Sequence, residues 1–265
     1  MSKGSKSIER KRSTLITQPL PGRLGPNWLS TWRLLQTVEG HLTHDEAQWL
    51  YLTAATCPAL GQIVEIGSFK GKSAIALAKG VCVSQTPAKV IAIDPHSSPS
   101  TTDPALNGIP SSEPEMRANL ALAGVSDVVD VRVQLSFPAA AQWSGPVRLL
   151  WVDGDHTLPG VSADLDSWLP HLSEGGVLAM HDVLHGFDGP GQAFLDRVLE
   201  TPGWANIGFV KSIGFATRVS KTDLTSAPRT KRQVVLLKRA IALSRTPGAL
   251  RRVAYKLCRC VLHRL

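Results

Sequence analysis

No run of 18 uninterrupted apolar residues occurs in the 265-residue chain, so no membrane-spanning helix is expected. Cysteine is scarce. Cys57, Cys82, Cys258 and Cys260 are too few and too irregular for a disulfide framework, and none forms the C-x-x-C pair of a zinc site. The first 22 residues are basic but lack the apolar stretch of a secretory signal, so a reducing, cytoplasmic setting is the simplest expectation. Acids are nearly missing from both ends. Residues 1–23 hold six Lys/Arg and one acid, and residues 221–265 hold twelve and one. The middle, 24–220, has eleven basic residues against nineteen acids. The formal net charge of +8 therefore belongs to an acidic body with two basic extensions. A nucleic-acid-binding core is disfavoured, because such cores carry their positive patch on the folded face.

Hydrophobic residues make up 43% of the chain, enough for a sizeable core. Residues 1–27 are basic and Pro/Gly-rich and are expected to be disordered. Residues 28–220 read as one globular domain, and 221–265 as a basic amphipathic helical extension. No internal repeat is present. A helical pattern covers 28–57 with a break near Gly40, and Thr43 with Glu46 three residues later has the form of a capping box. Apolar runs then alternate with helical patterns: "QIVEIG", "KVIAIDP", "VVDVRVQ", "LLWVD" and "GGVLAMHD" read as strands. "WANIGFVKS" and "IGFATRVS" read as a closing antiparallel pair. This alternation predicts a doubly wound, Rossmann-like α/β fold, with helices on both faces and ligands at the strand C-termini.

The turn "VEIGSFKGKSA" imitates an ATP-binding phosphate loop, but Gly67 lies four residues before Gly71, where that motif needs five. The dinucleotide fingerprint is also missing, since position 69 is Phe. A P-loop-like NTPase with Asp153 holding Mg²⁺ remains a rival reading. The acids favour another ligand. Glu65 stands two residues before Gly67, and Asp94 ends the next strand, where a carboxylate can accept both ribose hydroxyls of an adenosine. S-adenosylmethionine has a ribose and cationic groups but no phosphate, and it fits an acid-flanked glycine turn.

A second cluster closes the next two strands. Asp153 ends "LLWVD", and His181-Asp182 ends "GGVLAMHD". Adjacent parallel strands lie about 4.8 Å apart, so these three side chains can surround one Mg²⁺ or Mn²⁺. Such an ion would bind and acidify an acceptor hydroxyl. His156, three residues past Asp153, is placed to take its proton. Asp155 reads as a solvated turn acid.

The segments "IVEIGSFKGKSAIALA", "VIAIDP", "LLWVDGDH" and "GGVLAMHDV" resemble, in order and spacing, the class I S-adenosylmethionine-dependent methyltransferases. The likeness is to small bacterial O-methyltransferases of the macrolide-sugar type and, more distantly, the catechol type, over roughly residues 40–220. It implies a seven-stranded, mostly parallel sheet with an antiparallel closing strand. It also implies that Glu65, Gly67, Ser68, Phe69, Gly71 and Ser73 line the cofactor site, that Asp94 holds the ribose, and that Ser136 flanks the adenine. Asp153, a cofactor or metal residue, His156 and Asp182 match the family's D-x-x-H turn and following acid. His181 stands where an acid is usual, which shifts the preference toward Mn²⁺. The implied reaction is methyl transfer to a hydroxyl of a small molecule, sugar or glycan. A metal-dependent oxygenase on a methyltransferase-like sheet is a further alternative.

In "GALRRVAYKLCRCVLHRL", Leu250, Val253, Leu257 and Val261 share one helical face, and Arg251, Arg252, Lys256 and Arg259 the other. That pattern suits an anionic membrane surface at the inner face, docking on the body, or a second copy in a homo-oligomer.

Overall fold

The computed structural model describes residues 26–96, 111–185 and 187–220, with 235, 238, 239 and 242. The expected N-terminal extension up to residue 25, most of the 95–112 loop and nearly all of the basic tail lie outside the described residues.

Two helices come first, α1 (Pro26–Leu35) and α2 (His44–Thr56). The capping box starts α2 as the sequence predicts: the Thr43 hydroxyl accepts the Glu46 N–H, and the Glu46 carboxylate accepts the Thr43 N–H. Then β1 (Gln62–Ile66), α3 (Lys72–Cys82), β2 (Val90–Asp94), α4 (Glu113–Ala123) and β3 (Val129–Val133) follow. A short helix that the pattern does not announce, α5 (Ser136–Ala141), precedes β4 (Val147–Val152). Its six residues, SFPAAA, are too few to show a period. The remainder is α6 (Leu158–Trp168), β5 (Leu172–Met180), α7 (Asp188–Phe194), β6 (Trp204–Val210) and β7 (Ile213–Arg218).

The seven strands form one sheet in the order β3-β2-β1-β4-β5-β7-β6. Strands β1 to β5 pair in parallel, and β7 runs antiparallel to both β5 and β6. Side chains alternate across it. Ile63, Leu149 and Trp151 face α1–α4, whereas Val64, Ile66, Leu150 and Val152 face α5–α7. Both faces are covered, which is why these strands read as continuous apolar runs rather than alternating ones.

The strand order reverses between β1 and β4, and such a switch point leaves a crevice outside the strand ends. Register fixes what lines that edge. Ile66 pairs with Ile93 and Val152, and Val152 with Met180, so Gly67, Asp94, Asp153 and His181 emerge side by side. Arg148, fully buried, anchors α2 beside the sheet by donating to Ala54 O at 3.1 Å and Thr86 O at 3.0 Å. No helix among the described residues is long and apolar enough to cross a membrane.

Candidate active site

The β1 turn is built around Asp94. Its Oδ2 accepts the N–H groups of Ser68 (2.8 Å) and Phe69 (2.9 Å), and its Oδ1 accepts that of His96 (2.8 Å). A phosphate cradle needs those loop N–H groups for its ligand. Here a carboxylate takes two of them, which removes the physical basis of the ATPase reading. Asp94 thus organises the loop.

Gly67 and Gly71 have φ of 84° and 86°, in the left-handed region that glycine adopts without penalty. Gly67 also passes the backbone after β4. A Cβ there would lie 2.2 Å from Asp153 O and 2.7 Å from Gly154 Cα. The expected result for Gly67→Ala is a loss of about 3 kcal/mol of stability, from the positive φ plus overpacking against backbone, read from the urea midpoint. An unchanged midpoint would contradict the tight crossing.

Glu65 lies beneath this turn with no exposed surface, and neither of its oxygens has a hydrogen-bond partner among the described residues. Burial pushes its carboxyl up to about 8, with Ser73 and Ser68 opposing and Asp153 and Asp94 adding a smaller repulsion. Ser73 and Ser68 are themselves buried.

The second cluster assembles at the ends of β4 and β5. His181 Nδ1 lies 3.1 Å from Asp153 Oδ1 and 3.4 Å from Asp182 Oδ2. Asp182 has φ 55°, a left-handed conformation that Asp tolerates better than most residues, in the turn directly after β5. Its Oδ2 also meets His156 Nε2 at 3.1 Å. Burial opposes a charged His181, but Asp153, Asp182 and Glu46 outweigh it and raise its pKa well above the ordinary value. His156 behaves alike: burial opposes, Asp182 and Asp153 prevail, and the pKa is raised. The same contacts hold Asp182 well below the usual carboxylate range against burial. Asp155 is exposed and caps its own turn by accepting the Thr157 N–H at 2.7 Å, as expected of a turn acid.

The sequence-derived residues therefore fall into two adjoining groups. Glu65, Gly67, Ser68, Phe69, Gly71, Ser73 and Asp94 gather around the β1 turn, and Asp153, His156, His181 and Asp182 form the acid–histidine group. Ser136 sits apart at the start of α5, where its hydroxyl accepts Trp168 Nε1–H at 3.0 Å. Asp188 is the first residue of α7.

Two neighbours escaped the sequence. Phe187 stacks on His156 with ring centroids 4.2 Å apart, and Glu46 of α2 approaches His181 Nε2 at 3.7 Å. The capping-box pattern revealed Glu46, but only as a cap. No local signal marks Phe187.

Residues 64–183 match the family model described as a methyltransferase domain. Among solved structures, the O-methyltransferase NovP superposes with a TM-score of 0.59 at 12% identity, covering 73% of this chain and all of that one. The O-methyltransferase TomG of Streptomyces achromogenes, involved in tomaymycin synthesis and solved with S-adenosylmethionine, gives 0.51 at 16%, covering 75% and 92%. An O-methyltransferase from Bacillus cereus with bound S-adenosylhomocysteine gives 0.51 at 18%, covering 72% and 90%. These likenesses establish a shared fold, and the family match gives it a chemistry. Over residues 64–183 the chain therefore matches a methyltransferase domain.

Proposed function

We propose that the protein transfers the methyl group of S-adenosylmethionine to a hydroxyl of a small molecule, sugar or glycan. The observation that carries this reading is the acid–histidine group at the ends of β4 and β5, one strand from the glycine turn of β1. An oxygen acceptor must lose a proton as it attacks, and a histidine beside the cofactor edge supplies the base. The solved O-methyltransferases of the same fold support that class of acceptor.

In this reading Asp94 would hold the cofactor's ribose, the Gly67–Gly71 turn would flank its methionine part, and Glu65 and Asp153 would neutralise its cationic groups. Ser136 marks the adenine side. The acceptor hydroxyl takes the place of Asp182 beside Nε2 of a neutral His156 ring, because the direct 3.1 Å contact leaves no room for an oxygen between the two side chains. S-adenosylmethionine, when bound, would supply an electrophilic methyl to the acceptor oxygen and leave as a neutral thioether. The hydroxyl proton passes to Nε2, since Nδ1 of His156 is buried. The Asp182 carboxylate then accepts the Nε2–H bond again and stabilises the resulting imidazolium. Rate enhancement comes chiefly from holding oxygen, carbon and sulfur aligned.

The donor set fits a divalent cation. One ligand atom each from Asp153, His181 and Asp182 lies within 4.8 Å of the others. The separations of 3.1 and 3.4 Å match the roughly 3 Å edge of an octahedron with Mg²⁺– or Mn²⁺–ligand distances of about 2.1 Å. Nδ1 of His181 must be unprotonated to bind it. When bound, the ion would orient the acceptor oxygen and lower its pKa.

Titration calorimetry with S-adenosylhomocysteine tests the cofactor, with binding at micromolar concentration expected. Absence of binding alongside ATP binding, or O₂ consumption with Fe(II), would overturn the reading in favour of an NTPase or an oxygenase. Chelation with EDTA is expected to lower turnover, with recovery on adding Mn²⁺. Full turnover in EDTA removes the ion from the scheme.

A further inference from the structure

We infer that Glu46 is a positioning residue for the metal and proton site, holding the His181 ring through Nε2 so that Nδ1 faces Asp153 and Asp182. The inference rests on the metal-assisted reading above.

Glu46 is the third residue of α2 and is 1% exposed. A capping carboxylate ordinarily serves its own helix and stays near solvent. This one divides its two oxygens. Oε2 accepts the Thr43 N–H at 2.9 Å and its hydroxyl at 2.7 Å, which completes the cap. Oε1 points the other way. It accepts the N–H of Ser212 at 3.0 Å and its hydroxyl at 2.7 Å, in the turn between β6 and β7. The same Oε1 lies 3.7 Å from His181 Nε2, a buried nitrogen with no hydrogen bond among the described residues. A shift of less than one ångström brings the two to bonding distance.

The surroundings hold this carboxylate in place. Asp45, its neighbour, pairs with Lys211 at 2.9 Å, and Ser212 O accepts the Leu184 N–H at 3.2 Å. The start of α2, the β6–β7 turn and the turn carrying His181 and Asp182 are thus tied to one another. Trp151 packs edge-on against His181 with centroids 5.6 Å apart, so one ring face is also fixed. An imidazole whose Nε2–H is directed at a carboxylate presents Nδ1 to the opposite side, where Asp153 and Asp182 stand. Carboxylate–histidine–metal relays work in this way: the outer carboxylate sets the ring's tautomer and angle, and its removal weakens the metal site by about 10–100-fold.

The test compares Mn²⁺ affinity in the full-length protein with three variants, alongside S-adenosylhomocysteine affinity and thermal unfolding. Glu46→Ala is expected to bind Mn²⁺ about 10–100-fold more weakly, with S-adenosylhomocysteine affinity within about threefold of wild type. Glu46→Gln, which can keep one neutral acceptor toward His181, is expected to fall between the two. Thr43→Ala removes the cap partner but leaves Glu46 beside His181, so it is expected to lower the unfolding temperature without changing Mn²⁺ affinity. If the alanine variant does not fold, the glutamine variant decides. Wild-type Mn²⁺ affinity in Glu46→Gln would then overturn the inference, as would parallel losses of Mn²⁺ affinity in Thr43→Ala and Glu46→Ala. No Mn²⁺ uptake by the wild type is a separate failure. It removes the ion from the proposed function and the inference with it.

Discussion

Replacing His156 with alanine is expected to lower the methyl-transfer rate by about 10²–10⁴-fold while leaving S-adenosylhomocysteine affinity nearly unchanged. The separation follows from placement. His156 stands on the turn after β4, bonded through Nε2 to Asp182 and stacked on Phe187, whereas the cofactor-facing residues of β1 and β2 lie across the switch point. Removing the ring deletes the proton acceptor without touching the Ser68 and Phe69 bonds to Asp94. Single-turnover kinetics with saturating cofactor provide the measurement. A rate within about threefold of wild type would show that another group takes the proton. The loss is expected in the chemical step and not in KM for the cofactor, because the interaction forms only as the hydroxyl loses its proton.

The second large effect concerns Glu65 and pH. Its carboxyl is held at about 8 in the folded protein against 4.5 for the free side chain. Between those values the folded chain keeps a proton that the unfolded chain has released. Stability therefore falls as pH rises through the window from 4.5 to about 8, levels off above it, and is unaffected by this group below 4.5. At about 1.4 kcal/mol per pH unit, the full cost is on the order of 5 kcal/mol. A glutamine at position 65 does not titrate. Glu65→Gln is expected to unfold at the higher temperature of the two near pH 8.5, by several degrees, with the gap shrinking steadily toward pH 5. Thermal unfolding of the ligand-free protein across that range is the measurement, and parallel pH curves for both proteins would refute a buried, protonated Glu65. The proposed cofactor role adds an opposite arm. An ammonium beside the turn favours the ionised carboxylate, so the variant is expected to bind S-adenosylhomocysteine about 10-fold or more weakly.

Much of this molecule was legible from the chain alone. The strands could be read because both faces of the parallel sheet are covered, so Ile63-Val64, "VIAI" and "LLWV" had to be apolar throughout. The start of α2 was legible because a capping box is written within four residues. The glycine spacing weighed against a phosphate loop before any fold was known, and the loop's N–H groups, spent on Asp94, weigh against it further. The clustering of Asp153, His156, His181 and Asp182 followed once the strands of Asp153 and His181 were taken as neighbours, and β4 and β5 are neighbours. The tail and most of the 95–112 loop fall outside the described residues, and membrane docking or pairing through that tail stays an expectation of the sequence.

The rest depended on closure of the chain. Glu46 and Ser212 are 166 positions apart, and they meet only because β7 inserts antiparallel beside β5 and brings the β6–β7 turn to the start of α2. No periodicity or local motif encodes that meeting. Phe187 reaches His156 for the same kind of reason, across the turn after β5. The helix α5 was too short to leave a pattern, and Ser136 at its start bonds Trp168, 32 residues on. Residue type and spacing, which act between near neighbours, determined the elements, the glycine turn and the identities of the acids and histidines. Which nitrogen of each histidine faces which carboxylate was decided by the tertiary structure, because that orientation is set by groups brought together from opposite ends of the sheet.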